Sequence, residues 1–142
     1  MPSDTFTHSV SVEATPEAIH AALQDPETWK GIGPIDDVWD ASHHGDELAE
    51  FSWSARAAGK TWEGTARRSG DDGIESMTLD LDSPEIGGSI TVSVKPTDAG
   101  TSLTVTLDAH SKGRLAGMFW GVVANALRRG LARQVDSFGD RF

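Results

Sequence analysis

Residues 5–23 read Thr-Phe-Thr-His-Ser-Val-Ser-Val-Glu-Ala-Thr-Pro-Glu-Ala-Ile-His-Ala-Ala-Leu, and two periodicities meet inside them. Over residues 5–13 the even positions Phe6, His8, Val10 and Val12 alternate with Thr and Ser, the period of a half-buried strand. Beyond Thr15 the spacing changes, and Ala18, Ile19, Ala22 and Leu23 form the apolar stripe of a short helix. Thr15 suits the N-cap, Pro16 the first helical position and Glu17 the positive helix end. Asp25-Pro26 ends this helix, because the residue before a proline resists helical geometry, and starts a second short turn carrying Trp29. Gly31, Gly33 and Pro34 make the exit loop.

Outward from this stretch, alternation recurs in six runs, near 35–41, 46–57, 60–69, 73–82, 86–96 and 101–110. They are separated by His43-His44-Gly45, Ala58-Gly59, Gly70-Asp71-Asp72-Gly73, Ser83-Pro84 and Thr97-Asp98-Ala99-Gly100, all turn chemistry. Intervals this short suit hairpins, so the sheet is predicted to be antiparallel. One face collects Ala49, Phe51, Trp53 and Ala55, then Trp62, Gly64 and Ala66, then Met77, Leu79 and Leu81. Ile90, Val92 and Val94 follow, and Leu103, Val105, Leu107 and Ala109 complete it. The opposite face is assigned Thr, Ser, Glu, Asp and Arg. An apolar face must be covered, and the one sizeable cover is a single long helix predicted from about Gly113 to Phe138. The expectation is an α+β fold: seven strands in a curved antiparallel sheet around that helix, with two short helices after the first strand.

Composition narrows the function classes. The 142 residues fit one domain, 1–142, without repeats or linkers. The absence of cysteine removes disulfides, thiolate nucleophiles and thiolate metal sites together. The net charge of −10 disfavours phosphate-backbone binding, so no nucleic-acid partner is expected. Met1-Pro2-Ser3-Asp4-Thr5 has neither a basic nor an apolar leader region, and Met118 to Leu127 falls short of the ~20 residues that cross a bilayer. A cytoplasmic protein without a transmembrane segment is expected. Residues 113–142 carry five arginines against two aspartates, a local +3, which leaves −13 for the rest. These arginines could complement the helix dipole, pair with the acidic sheet, or give a weak membrane-surface or partner contact.

The order of elements resembles the START-like superfamily of helix-grip proteins, which includes polyketide cyclase/dehydrase and lipid-transport proteins. The sharpest local matches are Val10-Ser-Val-Glu-Ala-Thr-Pro-Glu-Ala-Ile19, Asp25-Pro-Glu-Thr-Trp29 and Gly100-Thr-Ser-Leu-Thr-Val105. The chain differs from many relatives in carrying Gly70-Asp71-Asp72-Gly73 after the fourth strand, and in having no tyrosine, a common pocket donor. The resemblance implies an elongated cavity between sheet and helix for an apolar or amphipathic small molecule such as a lipid, quinone or polyketide-like compound. Because fold alone does not settle activity, a cyclase/dehydrase-type enzyme and a protein-interaction module like the co-chaperone branch stand as alternatives.

Candidate ligand-binding residues follow from parity. His8 shares the apolar face of the first run; it could orient a ligand oxygen or move a proton, or be a histidine satisfied by a neighbour. Trp53, Trp62 and Trp120 are large apolar bodies with one indole donor each, and Leu79 and Val92 lie between them on the predicted inner face. Gly113, Gly117 and Gly121 line up at four-residue spacing, either for close packing on the sheet or to leave space for a ligand. Gly64 and Gly88 also thin the inner face, which favours a hollow core. Glu50 and Glu63 would be acid/base candidates beside His8, but their parity is outward. His43-His44 with Asp40, Asp46 and Glu47 sit in a turn where neighbouring side chains diverge, so no metal site is expected. No nucleophile elbow, phosphate loop or cofactor motif is present, and no cofactor is expected.

Overall fold

The computed structural model describes residues 3–32, 35–57, 60–71 and 74–141. β1 (Ser3–Val12) leads into α1 (Pro16–Ala22) and a 3₁₀ turn (Pro26–Trp29). The meander is β2 (Asp37–His44), β3 (Glu47–Ala57), β4 (Lys60–Asp71), β5 (Ser76–Asp82), β6 (Ile86–Thr97) and β7 (Gly100–Ser111). It ends in α2 (Arg114–Met118) and α3 (Trp120–Gly139). All seven strands form one sheet in the order β1-β7-β6-β5-β4-β3-β2, and each neighbouring pair is antiparallel. The expected turns at Ala58-Gly59 and Asp72-Gly73, and Gly33-Pro34 of the exit loop, lie outside the described residues.

The local signals act where they stand in the sequence. Thr15 accepts a hydrogen bond from the Ala18 amide and caps α1, while Asp25 accepts one from the Glu27 amide and starts the 3₁₀ turn. Trp29 is fully buried and donates its indole N–H to the Leu23 carbonyl at 3.0 Å. Lys30, at the end of that turn, reaches Glu27 at 3.4 Å and Asp37 at 3.5 Å. The hydrogen bond and charge of Glu27, with the Asp37 carboxylate, raise its ammonium above the usual lysine range. With the ammonium in solvent, these pairs contribute little. At the β5–β6 turn the Ser83 hydroxyl donates to the Ile86 carbonyl and accepts from its amide, holding both strands in register.

Antiparallel partners share a face, so registers can be read straight across the sheet. One inward row is Phe6, Leu107, Ile90, Leu79 and Arg68. Beside it lies Asp4, Ala109, Gly88, Leu81, Ala66 and Phe51, and on its other side His8, Val105, Val92 and Met77. Outward pairs are polar, among them Ser9 with Thr104 and Thr5 with Asp108.

α3 turns Trp120, Val123, Ala124, Leu131, Val135 and Phe138 into the core and runs alongside β1 in the same direction. Trp120 donates to the Asp4 carboxylate at 2.8 Å, and the Arg128 guanidinium stands 5.6 Å from the centre of the Phe6 ring. Asp136 accepts from the His8 imidazole at 3.1 Å, and Gly139 lies against Val10 and Val12. Such exposed polar ties contribute ~0–1 kcal/mol each. Full burial of one large aliphatic side chain contributes ~1.5–3 kcal/mol, so the apolar stripe holds the helix and the polar ties set its register.

Three expectations need correction. The terminal helix is not continuous: it breaks at Phe119, whose φ −108° and ψ 24° leave the helical region, and resumes at Trp120. The glycine row serves no single purpose. A Cβ on Gly113 would collide with the Glu85 carboxylate, one on Gly117 would sit 3.7 Å from the Ser111 hydroxyl, and Gly121 is exposed with nothing within 4 Å. Gly64 and Gly88 do not leave room either. A Cβ on Gly64 would stand 2.3 Å from the Asp82 carbonyl oxygen and 2.7 Å from the Trp53 indole, and one on Gly88 would stand 1.9 Å from the Asp108 carbonyl oxygen.

Candidate functional site

The six predicted ligand-binding residues all face the concave side, but they do not form one cluster. Trp53 and Trp62 lie on β3 and β4 at one end of the sheet, in adjacent rows defined by the pairs Trp53–Gly64 and Ala55–Trp62. Leu79 and Val92 occupy neighbouring rows on β5 and β6, and Val92 shares its row with His8, with Val105 between them. Trp120 sits at the start of α3 over Asp4. His8, on the edge strand, is half-exposed and donates from Nε2 to Asp136. Glu50 and Glu63 point outward, as parity predicted, and Glu50 pairs there with Arg67 at 3.6 Å.

Packing is tight along this face. Trp53 and Leu79 expose no surface, so not even a water-sized sphere finds room against them, and Val92 is nearly as closed. Trp62 borders an opening: it lines a concavity of about 480 Å³ with Thr61, Glu63, Pro84 and Glu85, at the rim of the sheet.

Within this dry region one polar group is unmatched. The Trp53 Nε1–H is buried with no hydrogen-bond acceptor among the described residues. An unpaired buried donor costs ~1–3 kcal/mol. Burying an indole of roughly 200 Å² at ~25 cal/mol per Å² returns about 5 kcal/mol. Burial therefore wins, and the side chain stays inside with its donor unused.

A second polar group, Arg68, stands on the inner face, whereas the arginines of the sheet are expected outward. Arg68 continues the inward series Trp62, Gly64, Ala66, and pairs across with Leu79. Its side chain is 10% exposed, and its guanidinium meets Glu47 at 3.4 Å. It lines a concavity of about 450 Å³ at the opposite, β2–β3–β4 rim with Ser42, His44, Glu47, Leu48 and Arg67. The alternation contains this signal, since 62, 64, 66 and 68 share parity, and register outweighs charge type at this position. Nearby, Gln24 accepts from the Leu48 amide at 2.7 Å, and its own carbonyl accepts from His43. That engages His43 in tying α1 to the β2–β3 hairpin.

The family described as polyketide cyclase / dehydrase and lipid transport has a sequence profile that matches residues 3–142. No curated protein sequence matches the chain. Among solved structures it is similar to a START superfamily protein from Mycobacterium smegmatis, with 17% identity and TM-score 0.72 over 96% of this chain and 97% of that one. A protein of Thermus thermophilus matches with 16% identity and TM-score 0.73, over 97% and 96% of the two chains. The Zhui aromatase/cyclase from Streptomyces sp. R1128 matches with 17% identity and TM-score 0.63, over 99% and 86%. At these identities the likeness is one of fold. No helix among the described residues is long and apolar enough to cross a membrane.

Proposed function

The chain belongs to the polyketide cyclase/dehydrase and lipid-transport family, and from that premise we propose that it binds and carries a hydrophobic small molecule between the sheet and the C-terminal helices. The observation that carries this reading is the buried Trp53 indole N–H, which has no acceptor among the described residues. A lipid, quinone or polyketide-like compound has an apolar body for the concave face and an oxygen able to accept that hydrogen bond. In this proposal the ligand enters beside Trp62 and is bordered by Trp53, Leu79, Val92, Trp120 and His8. Because the face is closely packed, uptake requires the α2 end of the helical arm to part from the sheet, with Phe119 as the pivot. The proposed setting is the cytoplasm.

Trp53→Phe tests this. The substitution removes the unused donor while keeping most of the ring, so the melting temperature of the unliganded protein should stay level or rise. Binding of a short-chain quinone, a fatty acid or an anthraquinone, followed by tryptophan fluorescence or calorimetry, should weaken about tenfold, the ~1.4 kcal/mol of one hydrogen bond. A panel on which neither wild type nor variant binds anything would sink the carrier reading.

A second reading, acid–base chemistry on such a ligand, draws on the His8–Asp136 pair at 3.1 Å, in which a carboxylate orients an imidazole. Mass spectrometry of recovered ligand separates the two: unchanged ligand supports the carrier, a dehydrated or cyclised product the enzyme. A protein-interaction role instead predicts no ligand and a protein partner.

A further inference from the structure

The solvent side of the C-terminal helices carries a pattern that ligand binding does not use. Met118 is 76% exposed and Val122 is 61% exposed, and Phe119 between them is also open to solvent. Three large apolar side chains at one helix break are costly to leave in water, since no core contact is gained in return. Val122, Arg129 and Arg133 follow at spacings of seven and four residues and so share one face of α3, while Met118 ends α2 just across the break at Phe119. Arg114 precedes Met118 by four on the same side of α2, ahead of the break at Phe119.

These arginines are not spent inside the molecule. Arg114, Arg129 and Arg133 are exposed and make no ion pair among the described residues. Arg128 instead lies over Phe6, and Arg141 donates to the carbonyls of Thr28 and Lys30. Of the acids around α3, Asp4 holds Trp120 and Asp136 holds His8, while Asp140 stands at the far, C-terminal end of the helix. Residues 113–142 carry +3 and the rest of the chain −13, so an anionic plane attracts the C-terminal arm as a whole and repels the remainder.

We propose that the face formed by Met118, Phe119, Val122, Arg129 and Arg133 docks on an anionic lipid surface, with the apolar side chains at the headgroup–acyl boundary and the arginines on phosphates. The charge asymmetry selects this partner over a second copy of the chain, whose own arginines would oppose these across a twofold axis. Long arginine side chains can keep their heads among phosphates while their stems lie on the apolar layer. The inference does not depend on what the inner face binds.

Sedimentation of the full chain with vesicles tests it, using phosphatidylcholine alone and phosphatidylcholine with phosphatidylglycerol. The protein should pellet with the anionic vesicles only, and several-fold less at high salt. Met118→Asp with Val122→Asp, and separately Arg129→Glu with Arg133→Glu, should each bring the bound fraction down to the phosphatidylcholine level. All four side chains are exposed, so circular-dichroism melts should match wild type. Lys95→Glu, on the distant β6, should bind as wild type does. Absence of binding to anionic vesicles, or binding that survives both double variants, overturns the proposal. So does a concentration-dependent dimer abolished by Met118→Asp with Val122→Asp, which would put a second copy on this face.

Discussion

The carbonyl oxygen of Asp108 forbids a side chain at position 88. It lies 1.9 Å from where a Cβ would sit, and Gly88 has a φ of +152°, which side chains rarely adopt. Gly88→Ala should therefore cost of order 1–3 kcal/mol from backbone strain alone, lowering the melting temperature by about 3 °C per kcal/mol. An unchanged melt would mean that β6 and β7 can move apart at no cost. Gly64 and Gly88 were both visible in the sequence as missing side chains on the inward face. A glycine announces that a Cβ is not tolerated, but not which atom stands in its place. At both positions a backbone carbonyl of the neighbouring strand comes nearest, that of Asp82 at 64 and that of Asp108 at 88, and at 64 the Trp53 indole stands beside it. Parity placed His8, Trp53, Trp62, Leu79 and Val92 on the inner face. It equally contained Arg68, which a rule that charges face water had moved outward. The unmatched Trp53 donor could not be read at all, because satisfaction depends on distances between strands far apart in the chain.

At the scale of elements, strands were the most legible feature. Period-two alternation and turn residues are local signals, and each predicted run corresponds to a strand in the sheet. The irregularities were not legible: the shift between Arg68 and Gly70, and the one after Trp39, where Asp40 takes a φ of 53°. They depend on how neighbouring strands twist. The helix break at Phe119 was missed because no proline marks it, and Gly117 and Gly121 on either side read equally well as packing residues. Their surroundings decide the consequence. Since Gly121 faces open space at ordinary φ, Gly121→Ala should stabilise the fold by about 0.4–1 kcal/mol through the unfolded chain. Gly121→Leu should not overpack anything. A loss of stability in either variant, measured by thermal or urea melts, would show that the α2–α3 junction packs more closely than described.

For the whole molecule the governing quantity is charge. A net charge of −10 with one basic arm gives a sheet that repels itself, relieved only in part by the +3 of the arm. Moderate salt should therefore raise the melting temperature, because screening weakens long-range repulsion more than the short pairs such as Arg68–Glu47. A falling melting temperature on adding salt would mean that those pairs dominate. The strand order carries a different consequence. β1 pairs only with β7, joining residues 103 positions apart at Thr5–Asp108. On a ribosome the first strand emerges with its Val and Phe side chains and waits, unpaired, for nearly the whole chain to be made. The hairpins from β2 to β7 can zip one after another in the meantime, each closing a short loop. The sheet is thus finished by its oldest segment, and until then that segment is an open edge that nascent chains on neighbouring ribosomes can pair with.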